Sequence, residues 1–278
     1  MIPSIVFLVP YRNRAEQKFF FSNYMTQLLG DKNYEIYFIH QNDARSFNRG
    51  AMKNIGFLAI KEKYPDHYQE MNIVFNDVDT LPFNAIFDYQ TTLGVVKHYY
   101  GFTHALGGIV VFKGKDFEKI NGFPNCWGWG GEDSGLQKRC IQHNLAIDRT
   151  DFKPIGNPQI LQLFDGVERI INRNDYTMIK YDLTGKEGLK TISNPLFTID
   201  KNSKNDNDNI HLVENDKIFV VNVSHFVCGI EYNKEKLTRY DIRDPKYKIL
   251  NPKKHAHSIV TTTNDWKNIK YKTLVYPK

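Results

Sequence analysis

Apolar and polar residues alternate along the first half of the chain in a way that predicts strands and helices in turn. Apolar runs typical of buried strands lie at residues 5–9, 34–40, 71–76 and 108–112. Segments with helical periodicity lie at residues 14–29, 48–64, 115–120 and 134–143. In the first of these helices, apolar residues recur on one side, namely Phe19, Phe20, Tyr24 and Leu28. This order predicts an α/β fold with a sheet of the mononucleotide-binding kind.

The second half of the chain is less regular. Residues 189–199 and 217–223 have a β-like composition, and the Asn-rich tract at residues 201–209 between them predicts a mobile surface loop. From Tyr232 onward the chain is basic and aromatic, as expected of a tail that packs on the core or closes over a site.

Charged side chains follow two of the predicted strands. Asp77 and Asp79 come directly after the apolar run at residues 71–76, and in an extended chain they project to the same side. Their oxygens suit Mg²⁺ or Mn²⁺, although solvated turn aspartates are the common explanation of such a motif. Arg12 and Arg14 follow the first strand and either meet an anion or form a solvated basic turn. Open sheets bind ligands at their strand C-termini, so this spacing predicts one shared cleft.

The segment at residues 121–133 combines indoles, glycines and carboxylates more densely than packing requires. Trp127 and Trp129 present flat faces on which sugars stack, and the neighbouring glycines let a ligand approach the backbone. Glu132 and Asp133 begin a predicted helix, where exposed N–H groups favour anions and are expected to keep Asp133 ionised at neutral pH. The alternative is an aromatic loop with an acidic helix start, which leaves the density of glycine and indole unexplained.

Composition is that of a globular chain of enzyme size. The 278 residues are 41% hydrophobic, enough for a substantial core, and no run of about 20 apolar residues predicts a membrane span. The start lacks the features of a secretion signal, so a cytoplasmic or soluble protein is expected. Three scattered cysteines argue against a disulfide framework, which makes a reducing compartment the simpler assumption. A formal charge of +6 favours an anionic partner, but no nucleic-acid module is recognisable.

Four segments, in order, resemble the β-1,4-galactosyltransferase family. They are Val9-Pro-Tyr-Arg-Asn-Arg14, Phe47-Asn-Arg-Gly-Ala-Met-Lys-Asn-Ile-Gly-Phe57, Asp77-Val-Asp79, and Gly107-Gly108 continuing through Ile120-Asn-Gly-Phe-Pro124 to Trp127-Gly-Trp-Gly-Gly-Glu-Asp133. The resemblance implies the Rossmann-like, nucleotide-sugar-binding GT-A fold, a mixed sheet flanked by helices. It implies one domain, residues 1–278, with the nucleotide-sugar-binding and catalytic core at 1–150 and the acceptor side, metal-ligand strand and basic tail at 151–278.

The resemblance also implies roles for residues at matching positions. Those implied to hold the UDP part of a nucleotide sugar are Pro10, Tyr11, Arg12, Arg14, Phe47, Arg49, Asp77 and Val78. Trp129 is implied to contact both the donor phosphate and the acceptor sugar. For Phe47 and Trp127 the alternative explanation is that their rings simply pack in the hydrophobic core. Asp79 matches the metal-binding carboxylate of the family, which implies Mn²⁺ or Mg²⁺ as the cofactor.

A further metal ligand of the family comes from a later strand that ends in a histidine. The apolar run at residues 219–225 is the equivalent here, which makes His225 the expected ligand. A family methionine three residues earlier is replaced by Asn222, whose amide oxygen suits a hard cation. The rival histidines are His104, His143 and His211.

The resemblance makes Asp133 the catalytic base, which takes the proton of the acceptor hydroxyl, and gives Glu132 the task of organising the donor sugar or its loop. Ala105 stands where galactose-using members have tyrosine, which opens room for an N-acetyl group. UDP-Gal and UDP-GalNAc are therefore both expected donors. Ser134 replaces an acid that many members use in acceptor recognition, so the glycan acceptor is not specified.

The expected function is metal-dependent, inverting transfer of galactose or N-acetylgalactosamine from a UDP-sugar to a glycan hydroxyl. A second hypothesis is a haloacid-dehalogenase-like phosphatase, in which Asp77 is the nucleophile and Asp79 the acid/base. A third is an inactive carbohydrate-binding protein of the same fold. The presence together of Asp77, Asp79, Glu132 and Asp133 argues against this loss of activity.

Overall fold

The strands and helices that alternate along the first half of the chain form a mixed sheet with helices on both faces. The computed structural model describes residues 2–172, 174, 175, 177, 185–201 and 216–243. Within them the helices are α1 (Ala15–Leu29), α2 (Arg49–Lys63), α3 (Gly114–Lys119) and α4 (Glu132–Gln142). The strands are β1 (Ile5–Tyr11), β2 (Tyr34–Gln41), β3 (Asn72–Asn76), β4 (Thr80–Pro82), β5 (Val95–Gly101), β6 (Ile109–Lys113), β7 (Ala146–Asp148), β8 (Lys153–Pro154), β9 (Ile160–Gln162), β10 (Glu168–Asn172), β11 (Ser193–Lys201), β12 (Ile218–Val227) and β13 (Leu237–Asp241).

The main sheet has the strand order β11-β12-β2-β1-β3-β6-β5-β7, with β8 also paired to β5. Strands β12, β2, β1 and β3 are mutually parallel, whereas β6 runs antiparallel to β3. Every residue of β1 and of β3 is buried, as expected of parallel strands with both faces covered. Two smaller sheets consist of β4 with β9 and of β10 with β13. The α/β class and the predicted helices and strands of the first half are confirmed.

Each face of the sheet is covered by its own hydrophobic cluster. On one face, α1 contributes Phe21, Met25 and Leu29 to a cluster with β1 and β2 side chains. On the other face, α2, α3 and α4 contribute to a larger cluster, represented by Ile55, Phe117 and Leu136. This arrangement places the helices on both sides of the sheet and leaves the ends of the strands open for a site.

The buried side of α1 differs from the apolar side visible in the sequence. Phe19 and Phe20 are exposed, Phe20 by 39%, and Tyr24 and Leu28 lie at the border of the core. The buried stripe consists of Phe21, Met25 and Leu29, together with Lys18 and Ser22. Two apolar stripes of i, i+4 spacing lie side by side on this helix, and packing against the sheet selects the second.

The second half forms the predicted strands as β11 and β12, and a 3-10 turn at Leu189–Thr191 precedes β11. Most of the predicted Asn-rich loop, residues 202–209, lies outside the described residues, and so does the tail from residue 244 onward. The chain divides into a larger unit, Met1–Gly166 with Ile170–Arg239, and a smaller unit, Val167–Arg169 with Tyr240–Lys278. The division near residue 150 stays a prediction.

Two features of the sequence analysis concern membranes and thiols. Among the described residues, no helix combines the length and the apolar character that crossing a bilayer requires. Cys126, Cys140 and Cys228 are free thiols, and all three are buried.

Candidate active site

One cleft lies beyond the C-terminal ends of β1 and β3 and gathers side chains from distant parts of the sequence. Of the thirteen site residues predicted from the sequence, eleven line it: Pro10, Arg12, Arg14, Phe47, Arg49, Asp77, Val78, Asp79, Trp129, Glu132 and Asp133. Ala105 and Gly107 also line it. The shared cleft expected from the strand ends is therefore present.

Two predicted site residues lie elsewhere. The Tyr11 ring is 1% exposed and packs against Phe38 and His40 inside the core. His225 is exposed on β12, where it pairs with Leu196 of β11, and it is not among the described residues that line the cleft. Of the rival histidines, His104 and His143 are exposed and outside this lining, and His211 lies outside the described residues.

Two arginines after β1 form one wall of the cleft, and loop carbonyls hold them in place. The guanidinium of Arg12 donates to the carbonyl oxygen of Asp43 over 2.8 Å and to that of Arg45. Arg14 donates to the carbonyl oxygens of Asn13 and Asp165. These bonds fix both side chains, so their positive charge faces the cleft without the entropy loss of ordering a free arginine.

The turn after β3 places Asp77 and Asp79 on the cleft floor. The Asp77 N–H donates to Gly108 O over 3.1 Å, and Thr80 donates its hydroxyl to Asp79 Oδ1 over 3.2 Å. Burial, and then the nearby carboxylates of Asp77 and Asp165, raise the pKa of Asp79 to about 6. The turn after β3 thus brings the carboxylates of Asp77 and Asp79 together on the cleft floor, close enough to Asp165 for its charge to act on Asp79.

A short antiparallel pairing brings a later segment to the same floor. Strand β4 pairs with β9, so Thr80 lies opposite Gln162, and the Leu163 N–H donates to Asp79 O over 2.7 Å. Gln162 and Asp165 consequently line the cleft beside Asp79. Asp165 is a hard oxygen donor that sequence reasoning missed, since strands of three residues have no periodic signal long enough to read.

The start of α4 supplies two acids, each opposed by a cation from α2. Glu132 Oε1 lies 3.7 Å from Arg49 Nη1, and Asp133 Oδ1 lies 3.1 Å from Lys53 Nζ. Arg49 and Lys53 stand one helical turn apart, so both point to the same side of α2. Lys53 is a second residue that the sequence analysis missed, and its i+4 spacing from Arg49 was the signal available.

The ionisation of Asp133 differs from what a helix N-terminus alone predicts. Burial raises its pKa to about 7; the ammonium of Lys53 opposes this rise, the carboxylates of Glu132 and Asp77 add to it, and Arg49 opposes it. A helix N-terminus alone would keep Asp133 fully ionised at neutral pH, but with this pKa the carboxyl group is only partly ionised there. Desolvation and the neighbouring acids outweigh the helix dipole. A carboxylate with a pKa near 7 is well matched to proton transfer at neutral pH.

A glycine makes room for the Asp133 carboxylate. A Cβ atom added to Gly107 would lie 2.3 Å from Asp133 Oδ2, well inside van der Waals contact. The Leu106 N–H donates to Asp133 O over 3.0 Å, which ties this loop to the start of α4. The glycine in front of the strand at residues 109–113 is thus required by the close approach of a cleft carboxylate.

The two indoles of the tryptophan segment have different environments. Trp127 is 2% exposed, stacks on Phe226 and donates its indole N–H to Ile230 O over 2.8 Å, as in the core alternative. Trp129 is 41% exposed and lines the cleft. Gly128 between them has φ of +93°, a conformation that favours glycine and turns the two rings in different directions.

Two protein-family models match consecutive parts of the chain. One, described as the N-terminal region of glycosyl transferase group 7, matches residues 2–92. The other, described as the N-terminal domain of galactosyltransferase, matches residues 89–161. Together they contain all the cleft residues predicted from the sequence.

Curated relatives agree with these matches. Xylosylprotein 4-beta-galactosyltransferase of Caenorhabditis elegans is 32% identical over 187 residues, which are 63% of this chain and 62% of that protein. Beta-1,4-galactosyltransferase 4 of Mus musculus is 33% identical over 159 residues, 52% of this chain and 44% of that protein. The chain thus spans about half to three fifths of the length of these relatives.

Solved structures show the same fold. The catalytic domain of Drosophila beta1,4-galactosyltransferase 7 in complex with xylobiose superposes with a TM-score of 0.62 at 24% identity, covering 83% of this chain and 96% of that chain. A mutant of the Drosophila enzyme with manganese, UDP-Gal and xylobiose gives a TM-score of 0.61 at 22% identity, with the same coverage. The mixed sheet flanked by helices is therefore the fold of these galactosyltransferases.

Proposed function

Since the chain belongs to the β-1,4-galactosyltransferase family, we propose that it is a metal-dependent glycosyltransferase that moves galactose or N-acetylgalactosamine from a UDP-sugar to a glycan hydroxyl with inversion. One observation carries the proposal: Asp79 and Asp133, 54 residues apart in sequence, line the same cleft as Trp129. The cleft thus brings together a candidate metal ligand, a candidate base and the exposed indole of Trp129. Sugar transfer needs these three functions next to each other.

The nucleotide end of the cleft is basic and partly aromatic. Arg12, Arg14 and Arg49 supply positive charge for a diphosphate, and Phe47 supplies a ring for a uracil. The Arg49 guanidinium lies over the Phe47 ring at 5.4 Å, which orders both side chains before a ligand binds. Asp77 and Val78 complete this end beside the ribose.

The donor set on the cleft floor fits a divalent cation. Asp77 Oδ1 and Glu132 Oε2 are buried without a hydrogen-bond partner among the described residues, and the neighbouring acids are all oxygen donors. Asp79 and Asp165 would hold the ion, in place of the predicted His225. No three His, Cys, Asp or Glu side chains of the described residues form a metal cluster. Phosphate oxygens of a bound donor would supply further ligands to the ion. When bound, Mn²⁺ or Mg²⁺ neutralises charge that develops on the departing diphosphate.

Asp133 is the proposed base. With Oδ1 held by Lys53, the carboxylate accepts the proton of the acceptor hydroxyl as that oxygen forms its bond to the anomeric carbon and UDP departs from the opposite face. Trp129 borders the same space and supplies a stacking face for the acceptor sugar. Much of the rate enhancement then comes from holding both sugars in line.

The family models and relatives named above are all glycosyltransferases, so the phosphatase hypothesis has no support from them. Xylobiose, which is bound by the Drosophila relative, is the acceptor with which to begin.

A donor panel tests the proposed function. We expect UDP, UDP-Gal and UDP-GalNAc, each with Mn²⁺, to raise the melting temperature, and the sugar donors to release UDP slowly without acceptor. A ligand at a hundredfold excess over its Kd adds about 2.7 kcal/mol to the free energy of unfolding, enough to rank donors by differential scanning fluorimetry. Release of inorganic phosphate from a phosphomonoester without any UDP release would reverse the assignment in favour of the phosphatase.

Ala105 provides a prediction about the donor sugar. Its side chain lines the cleft at 8% exposure, and Ala105→Tyr would place a phenol in the room left for an N-acetyl group. Overpacking of this kind costs about 1–3 kcal/mol, so the ratio of kcat/KM for UDP-GalNAc to that for UDP-Gal should fall by about tenfold or more. Ala105→Ser is the matched control, and an unchanged ratio in the tyrosine variant would refute this role.

A further inference from the structure

A lysine lies buried beneath the cleft, in contact with the proposed base. The Lys53 side chain is 2% exposed, and its Nζ lies 3.1 Å from Asp133 Oδ1 and 3.8 Å from Asp77 Oδ1. The same ammonium stands 4.5 Å from the centre of the Phe123 ring. A buried charge is unfavourable unless paired, so this environment keeps a lysine only together with its two carboxylates.

The charges around Lys53 keep it protonated. Burial acts to lower the pKa of its amine, but the carboxylates of Asp133, Asp77 and Glu132 outweigh that effect and the repulsion of Arg49, and the pKa is raised. Lys53 is therefore a permanent cation at neutral pH. Its position on α2, a rigid element packed in the core, fixes where this cation stands.

We propose that Lys53 is a positioning residue for Asp133: it anchors Oδ1 of the base through a charged hydrogen bond and supplies the positive charge that favours the carboxylate form. The inference rests on the proposed function, since Asp133 is a base only if the protein is a transferase. Oδ2 lies against Gly107, where the absence of a Cβ leaves it space, and remains the oxygen available to the acceptor hydroxyl.

The charge balance around Asp133 shows why Lys53 matters most. Facing this carboxylate are Lys53 and Arg49 from α2, Glu132 from α4, and Asp77 from the turn after β3. Without Lys53, three carboxylates would share a single cation, Arg49. An opposite charge at this distance lowers a carboxyl pKa by about 1–3 units, and its loss reverses that gain.

The sign of the effect on activity follows. A base works only when ionised, so activity rises as pH passes through the pKa of Asp133, which is near 7 with Lys53 present. Replacement of Lys53 by methionine should move this acid limb to higher pH by about 1–3 units. Activity at pH 6.5 should fall by about tenfold or more, and it should recover as the pH rises through the shifted limb, which then lies between about pH 8 and pH 10.

The experiment measures kcat between pH 5.5 and 9.5, with saturating donor and Mn²⁺, for the wild type, Lys53→Met and Lys53→Gln. Lys61→Met is the matched control, since Lys61 lies on the same helix with an exposed side chain outside the cleft. Lys53→Gln retains a donor to Oδ1 without the charge, so it should show the shifted acid limb with a higher plateau than Lys53→Met. A folded Lys53→Met with the acid limb of the wild type would overturn the proposal.

A second measurement needs no turnover. The carboxyl carbon resonance of Asp133 is followed against pH by ¹³C NMR, assigned with Asp133→Asn, in the wild type and in whichever Lys53 variant folds. A higher titration midpoint in the variant supports the inference, and equal midpoints overturn it. If neither variant folds, the ¹³Cε resonance of Lys53 in the wild type decides: a side chain that stays an ammonium up to pH 9 supports the inference, and one that loses its proton below pH 8 overturns it. Failure of the proposed function is seen separately, as absence of UDP release by the wild type at every pH.

Discussion

Asp133→Asn should reduce the rate of sugar transfer by about 10²–10⁴-fold while leaving the fold and donor binding intact. The amide has nearly the same shape as the carboxylate but accepts no proton, so the acceptor hydroxyl loses its base. Asp133 is 26% exposed and is held through Lys53 Nζ and the backbone, and asparagine keeps an oxygen for the first of these contacts. The measurement is kcat at pH 8 with saturating donor, acceptor and Mn²⁺.

The control for this variant is Asp151→Asn, the same chemical change at a side chain that is 57% exposed and outside the cleft. The shift of melting temperature by UDP and Mn²⁺ should be equal in both variants and the wild type. Transfer at the wild-type rate by folded Asp133→Asn would assign the base elsewhere, and loss of UDP binding would give Asp133 a structural role instead.

Asp79→Ala should abolish metal-dependent turnover. A divalent cation contributes several kcal/mol to stabilising charge on the departing diphosphate, so its loss lowers the rate by about a thousandfold or more. In scanning fluorimetry, Mn²⁺ with UDP should raise the melting temperature of the wild type and of the exposed-site control Asp66→Ala, but not of Asp79→Ala. Treatment of the wild type with EDTA should reproduce the loss of activity, and Mn²⁺ should restore it.

The same substitution should not destabilise the metal-free protein. The pKa of Asp79 is raised to about 6 from its ordinary value of 3.8, so the folded state holds this proton more tightly than the unfolded state. Stability from this group therefore falls as pH rises from about 4 to about 6 and stays lower above that range. At pH 7 without metal, Asp79→Ala should melt at or above the wild-type temperature. A lower melting temperature would show that Asp79 stabilises the fold rather than a ligand.

The first half of the fold was predictable because its information is local. Strands such as β1 and β3 are continuous apolar runs, and helices such as α2 repeat apolar residues with helical spacing over four turns. The buried face of α1 was not predictable, since its two apolar stripes have equal local merit. The choice between Phe20 and Phe21 depends on how the helix meets the sheet.

Within the site, the tryptophan segment and the paired aspartates could be predicted from the sequence, because each places several residues of functional type close together. Asp165 and Lys53 were not, since each looks ordinary beside its sequence neighbours. Asp165 reaches the cleft through the short pairing of β4 with β9, and Lys53 through the approach of α2 to the start of α4. The opposite happened with His225, which the family resemblance singled out as a metal ligand. In the structure its side chain is exposed on β12 and is not among the described residues that line the cleft.

The sequence by itself determined the α/β class, the family and most of the cleft residues, because local periodicity and the chemistry of short motifs are written in consecutive positions. Only the tertiary structure decided which helix face is buried, which acid stands beside Asp79, and that Asp133 has a pKa near 7 rather than a depressed one. These properties depend on distances between charges and surfaces from separate elements, and such distances exist only once the chain has folded.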